Sequence, residues 1–431
     1  MNKNQKLTLL ILIIVGGFSI SVLYHYAQGV YLGETYPKNT FLFRPWDRFN
    51  DFYNPVRNSG DLDPYHPDKA VFGAGNPFFH FVAYLFSLIR PRELSWLIFL
   101  GSFFITFILM AKHYLYGLKS KTTNHQVLAI FVLAFLTYPV IFAVDRSNFD
   151  LLICVSIFLF ALAYEKQRFK TSTVFLAMAI SMKPVACVYA VIYFINRKFK
   201  EAFLLALGVI LMNVISLSLF KDGLLVEAQK FITSQLDVAE VNAGSAVSMF
   251  RSDLYNFLVI IVRPISGLFG AETDLRGNSA FLCSYTAVAV VVFAFFAVYL
   301  WKRPQPFWKV MAVLTILLIL LPFNSGDYRL TYLFVPLLMY LAIEEETRND
   351  MLMVILWGLL LVPKNYYSIS GEQNIGMVIN PLILVGLLIL LVCNRTTKTA
   401  SHGEGTETAI ANEHLEAECP PSCNLKCQIP D

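Results

Sequence analysis

Apolar runs long enough to cross a bilayer recur along this chain, separated by short charged loops, and they leave few folds open to it. A helix needs about 20 apolar residues to cross the hydrocarbon, and its backbone groups must be satisfied there without water, so such runs become helices. Spans are predicted near 7–25, 94–112, 127–144, 149–164, 201–219, 279–300, 309–323, 330–343, 351–363 and 376–393. Composition agrees: 56% of the residues are hydrophobic and 15% charged, and the mean hydropathy of +0.58 excludes an ordinary soluble domain. The expected fold is all-α, a polytopic membrane protein of about 10–12 transmembrane helices. Residues 1–395 make one membrane domain. Residues 396–431 are polar and read as a disordered cytoplasmic tail.

Basic residues orient the spans. Lys112, Lys119 and Lys121, then Lys166, Arg168 and Lys170, then Arg197, Lys198 and Lys200, then Lys302, Arg303 and Lys309, then Arg395 and Lys398 form short loop clusters that the positive-inside rule assigns to the cytoplasm. The net charge of +4 is thus spent on topology, not on a nucleic-acid surface. Alternation closes under two conditions. The apolar piece 77–89, flanked by Arg90 and Arg92, lies in the outer interface as an amphipathic helix, which makes 26–93 a single long extracytoplasmic loop. The segment 171–196 goes in and comes back, with Lys183-Pro184 at its apex, because proline removes a backbone donor and disfavours helix just before it. The loops 145–150, 221–278, 324–329 and 364–373 also fall outside. Run 7–23 ends in Tyr24, His25 and Tyr26 and reads as an uncleaved anchor rather than a signal peptide. Most of the seven cysteines lie in spans or tail, so no disulfide framework is visible. Cys419, Cys423 and Cys427 lack a fourth ligand at a zinc spacing.

The first outer loop carries an unusual inventory: Arg44, Trp46, Asp47, Arg48, Asp51, Tyr53, Arg57, Asp61, Asp63, Tyr65 and Asp68. Nucleotide sugars are not at hand outside the cytoplasm, so group transfer there draws on a lipid-linked donor. Glycosyl transfer from a polyprenyl phosphate needs a carboxylate to take the acceptor's proton and cations to offset charge on the departing phosphate. Asp51 or Asp47 suits the first role. Arg44, Arg48, Arg57, Arg146, Lys183 and Arg329 suit the second. Were 44–53 helical, Asp47 and Asp51 would share a face one turn apart, and so would Arg44 and Arg48, with intrahelical ion pairing as the competing use. Asp61-Leu62-Asp63 has a form that can hold a divalent metal, with His66 and His80 as additional ligands, or is only a turn before Pro64. No metal or other cofactor is assigned.

Three stretches carry a resemblance: Asp51-Phe52-Tyr53, Gly60, Pro64-Tyr65 and Asn76-Pro77-Phe78-Phe79 in the first loop; Asp145-Arg146-Ser147-Asn148-Phe149-Asp150; and Met182-Lys183-Pro184 before an Arg-Lys cluster. In this order they resemble the GT-C superfamily of integral-membrane glycosyltransferases, in particular the branch similar to polyprenyl-phosphate-mannose-dependent alpha-mannosyltransferases. Ser147 stands where that branch usually has glycine, and Asn76-Pro77-Phe78 replaces a more proline-rich version. The resemblance implies a bacterial inner-membrane enzyme that moves a hexose such as mannose, with inversion, from a polyprenyl-phosphate donor to a lipid or glycan acceptor on the extracytoplasmic face. Asp51 would be the base, with Asp47 in reserve. Asp63, Tyr65, Asp145 and Asn148 would bind sugar hydroxyls, Asn76 and Asp150 would also belong to the substrate site, and Lys183 and Arg146 would face the phosphate. Two competing classes are an O-antigen-type polymerase, which usually has its largest loop late in the chain, and a secondary transporter or flippase, for which a broken helix is compatible but two matching halves are missing.

Overall fold

Helices carry most of the described residues, as the apolar runs require. The computed structural model describes residues 1–66, 68–69, 75–117, 124–244, 250–268, 278–343, 349–367 and 374–393, with backbone alone at 125, 238–244 and 263–268. They contain α1 (Lys3–Val30), α2 (Asn50–Ser59), α3 (Pro77–Ser87), α4 (Arg92–Tyr116), α5 (Asn124–Phe135), α6 (Tyr138–Arg146), α7 (Asp150–Glu165), α8 (Phe169–Met182), α9 (Val191–Ile195), α10 (Phe199–Leu219), α11 (Gly223–Gly244), α12 (Leu254–Leu268), α13 (Ser279–Lys302), α14 (Phe307–Leu320), α15 (Phe334–Ala342), α16 (Asp350–Leu361) and α17 (Gly376–Cys393). The described residues include no β-strand, only isolated bridges such as Arg251 to Gly326. The tail 396–431 with its three cysteines lies outside the described residues, as do Lys119, Lys121, Arg395 and Lys398.

The protein is an all-helical polytopic membrane protein. Among the described residues, five helices, α1, α4, α10, α13 and α17, are each long and apolar enough to cross a bilayer, or six spans if α5 and α6 count as one. Several predicted spans are broken instead. Segment 127–144 bends by 50° between α5 and α6, where Pro139 opens α6 and proline suits a first helical turn but not an interior. Segment 330–343 starts inside a 3-10 turn, Asp327–Leu333, before α15. Segment 221–278, whose fold the sequence left open, contains α11 and α12 among its described residues.

One short apolar helix is sheathed by protein rather than lipid. In α14 every residue from Lys309 to Leu320 is buried, the mark of a helix hydrophobic all round. In α13, by contrast, only Tyr285 and Leu300 are buried, so its flank is left for lipid. The first helix is part of the bundle: α1 packs along α16, burying Leu7, Leu10 and Ile14, and Lys6 Nζ meets Asp350 Oδ2 at 3.1 Å.

The predicted in-and-out segment is a hairpin. Its arms are α8 and the 3-10 turn Pro184–Ala190 with α9, and its ends meet where the Tyr193 hydroxyl lies 2.8 Å from Ser172 Oγ and accepts from Thr173 Oγ1 at 3.1 Å. Lys183 sits at the apex, in extended conformation. The piece expected in the outer interface is the eleven-residue α3, packed on α2, α8 and α10.

Candidate active site

The site begins at the elbow between α6 and α7. Ser147 adopts the left-handed conformation, φ 51°, which favours glycine. Its side chain is held by two hydrogen bonds, accepting from Trp96 Nε1 at 2.8 Å and donating to the Val144 carbonyl at 2.9 Å, which accounts for serine at a glycine-type position. The elbow aims its neighbours in different directions. Asn148 Oδ1 accepts the Asp150 amide at 2.9 Å, helping to start α7, while Asn148 Nδ2 donates to Asp51 Oδ2 at 2.7 Å.

The first loop docks against this elbow, but not as one helix. Pro45–Asp47 is a 3-10 turn, Phe49 is left-handed, and α2 starts at Asn50. Asp47 and Asp51 are therefore not stacked one turn apart on a continuous helix. They converge because both bind Arg146, which bridges the Asp51 carboxylate through Nε and Nη2 and reaches the Asp47 carboxylate and carbonyl through Nη1. The guanidinium lies over Phe43 at 4.2 Å. Burial pushes the Asp47 carboxyl up, yet the bonds from Asn50 and Arg146 outweigh it and leave its pKa below the ordinary value.

Across the cavity, Lys183 reaches down from the hairpin apex to the fully buried Asp150, whose other oxygen accepts from Tyr332. Lys183 Nζ also stands 5.0 Å from the Tyr328 ring centroid. Asp150 belongs to the first turn of α7, where the helix dipole favours a carboxylate. A buried carboxylate paired with one cation and one hydroxyl is an internal support for the lysine.

These groups surround a cavity of about 590 Å³. Among predicted site residues, Asp47, Asp51, Asn76, Arg146, Asn148, Asp150 and Lys183 line it. The others stand elsewhere. Asp145 brackets the first loop instead, through the Phe43 amide at 3.3 Å and Arg48 at 3.2 Å. Arg44, Arg48 and Arg57 are exposed away from the lining. Tyr65 is buried beneath the rim and donates to the Gly75 carbonyl at 2.9 Å. Arg329 is buried next to Tyr328 in the chain, its Nε and Nη1 without hydrogen-bond partners. Sequence reasoning missed Phe43, Gln235, Arg251, Asn324 and Tyr328 on the lining and Tyr332 behind Asp150. Only the polar turn 324–329 gave any sign of them.

The Asp61-x-Asp63 pair diverges: Lys69 binds Asp61 at 2.7 Å and Lys230 binds Asp63 at 2.9 Å. Asp63, Asp222 and Glu227 do bring carboxylate oxygens within 4.8 Å of one another. Lys230 Nζ donates to all three, so an ammonium supplies there the positive charge a metal would. His80 is buried with Nδ1 3.0 Å from Ser59 Oγ, and His66 pairs with Asp68.

A comparison with family models matches residues 75–322 to glycosyltransferase family 87, more than half of the chain. No curated protein matches. The matched stretch takes in Asn76, the elbow and Lys183, while Asp47 and Asp51 precede it.

Proposed function

The chain belongs to glycosyltransferase family 87, a GT-C-type family of membrane glycosyltransferases, and on that footing we propose that it moves a hexose such as mannose from a polyprenyl-phosphate donor to a lipid or glycan acceptor. The transfer takes place in the cavity on the extracytoplasmic face of a bacterial inner membrane. Asp51 is the general base. The observation that carries this reading is the position of Asp51 on the cavity wall, bonded to Arg146 and Asn148, in a cavity that Lys183 also lines.

In the reaction the acceptor oxygen forms a bond to the anomeric carbon as the bond from that carbon to the phosphate oxygen breaks, with inversion. The acceptor proton passes to Asp51, and the electron pair leaves with the phosphate, whose charge Lys183 and Arg146 offset. Before a donor binds, Arg146 occupies oxygens of Asp51. An incoming phosphate competes for the same guanidinium and so frees the carboxylate for the acceptor hydroxyl.

The test is transfer of radiolabelled mannose from synthetic polyprenyl-phosphate-mannose by the purified protein in detergent, with a membrane lipid extract as acceptor. The expected result is a labelled product in wild type, reduced about 10²- to 10⁴-fold in Asp51→Asn. Near-normal turnover in Asp51→Asn removes Asp51 from the chemistry. No product from folded wild type with any polyprenyl-phosphate sugar overturns the donor.

A further inference from the structure

We propose that Gln235 of α11 is a further substrate-binding residue, its side-chain amide donating to a hydroxyl of a carbohydrate bound in the cavity. This rests on the reading of the cavity as a glycosyl-transfer site. Among the described side chains that line the cavity, Gln235 alone has a buried polar atom, Nε2, with no hydrogen-bond partner. A buried amide donor left unmet costs free energy, and a ligand that fills the cavity removes that cost.

The way α11 is fastened shows where this amide stands. Phe231 and Gln235 are four residues apart and share one face of the helix. Phe231 packs on Tyr65, ring centroids 5.4 Å apart, and Tyr65 holds the Gly75 carbonyl beside Asn76 on the cavity rim. Lys230 on the same helix is tied to Asp63 of the first loop at 2.9 Å. Gln235 and Asn76 thus both bring neutral amides to the cavity lining, alongside the cations Arg146 and Lys183. Charged phosphate is served by cations. Neutral, directional amides match hydroxyl groups, whose orientation differs between one sugar and another.

The measurement is binding to the full-length protein in detergent of three probes: polyprenyl-phosphate-mannose, bare polyprenyl phosphate and methyl α-mannopyranoside. Gln235→Met keeps the length of the side chain and removes the donor. The expected result is about tenfold weaker binding of a sugar-bearing probe, with bare polyprenyl phosphate bound as in wild type. A loss confined to polyprenyl-phosphate-mannose places Gln235 on the donor sugar; a loss confined to the methyl glycoside places it on the acceptor sugar. Unchanged affinity for both sugar-bearing probes, or an equal loss for the bare lipid phosphate, overturns the proposal. Should Gln235→Met bind no probe, Gln235→Asn decides, and wild-type sugar affinity in that shortened variant also overturns it. Wild type that binds none of the three probes instead sinks the transfer reading itself, and the role of Gln235 with it.

Discussion

Arg146 does at the residue scale what no lysine could. Its planar fork holds Asp51 through two nitrogens and Asp47 through the third while its face rests on Phe43, and the two-pronged, stacked geometry is closed to a point-charge ammonium. Arg146→Lys should therefore keep the charge, lose the bridge and weaken binding of polyprenyl-phosphate-mannose about tenfold or more, as read by donor titration; unchanged donor affinity would count against Arg146 as a phosphate contact. Asp47 adds a pH signature. Its folded pKa lies below the ordinary 3.8, so its contribution to stability is present above that value and fades only as pH falls through the lower folded one. Melting midpoints of wild type and Asp47→Asn should differ at neutral pH and draw together below about pH 4; a gap that closes already near pH 6 would show that another group controls it.

Among the elements, the hairpin tip and α11 depend on buried charge. Lys183 is the ionic partner that the structure shows for the fully buried Asp150, and removing one member of such a pair strands the other. Lys183→Met should cost about 3 kcal/mol of stability, and the double variant Lys183→Met with Asp150→Asn should regain much of it, measured by thermal melting in detergent. A single and a double variant equally unstable would mean that the pair does not support the tip. On α11, Lys230 binds three acids, one of them the fully buried Glu227. Lys230→Met should loosen the helix from the first loop, seen as faster amide exchange across 223–237 while α14 stays protected.

At the level of the whole molecule, α1 closes the bundle by close approach to α16. A Cβ added at Gly17 would stand 2.5 Å from Val362 Cγ1, and one at Gly358 would stand 2.8 Å from Ile13 Cγ2. Small residues at such crossings let helices meet in a membrane, where no water drives them together. Gly17→Val should cost about 1–3 kcal/mol through overpacking and lower the melting midpoint, with sugar affinity in the folded fraction retained; a wild-type midpoint would show that α1 shifts freely.

How much was legible follows from the range of each interaction. Hydrophobic length is a local property, so the sequence alone determined an all-helical polytopic chain, a short helix opened by Pro77 and a turn at Lys183-Pro184. It also marked Asp51, Arg146, Asn148 and Lys183 as chemistry-bearing, since charges beside apolar segments need a reason. Only the tertiary structure decided which of them meet. Asp145 and Arg146 are neighbours in the chain, yet one brackets a loop and the other lines the cavity. Asp63 of the first loop is tied to Lys230 of α11. Gln235 and Tyr332 carried no local signal, because a lone glutamine or tyrosine acquires its role from partners that folding brings from distant segments. Burial near lipid can be read one helix at a time; a polar cavity between helices exists only once they have packed.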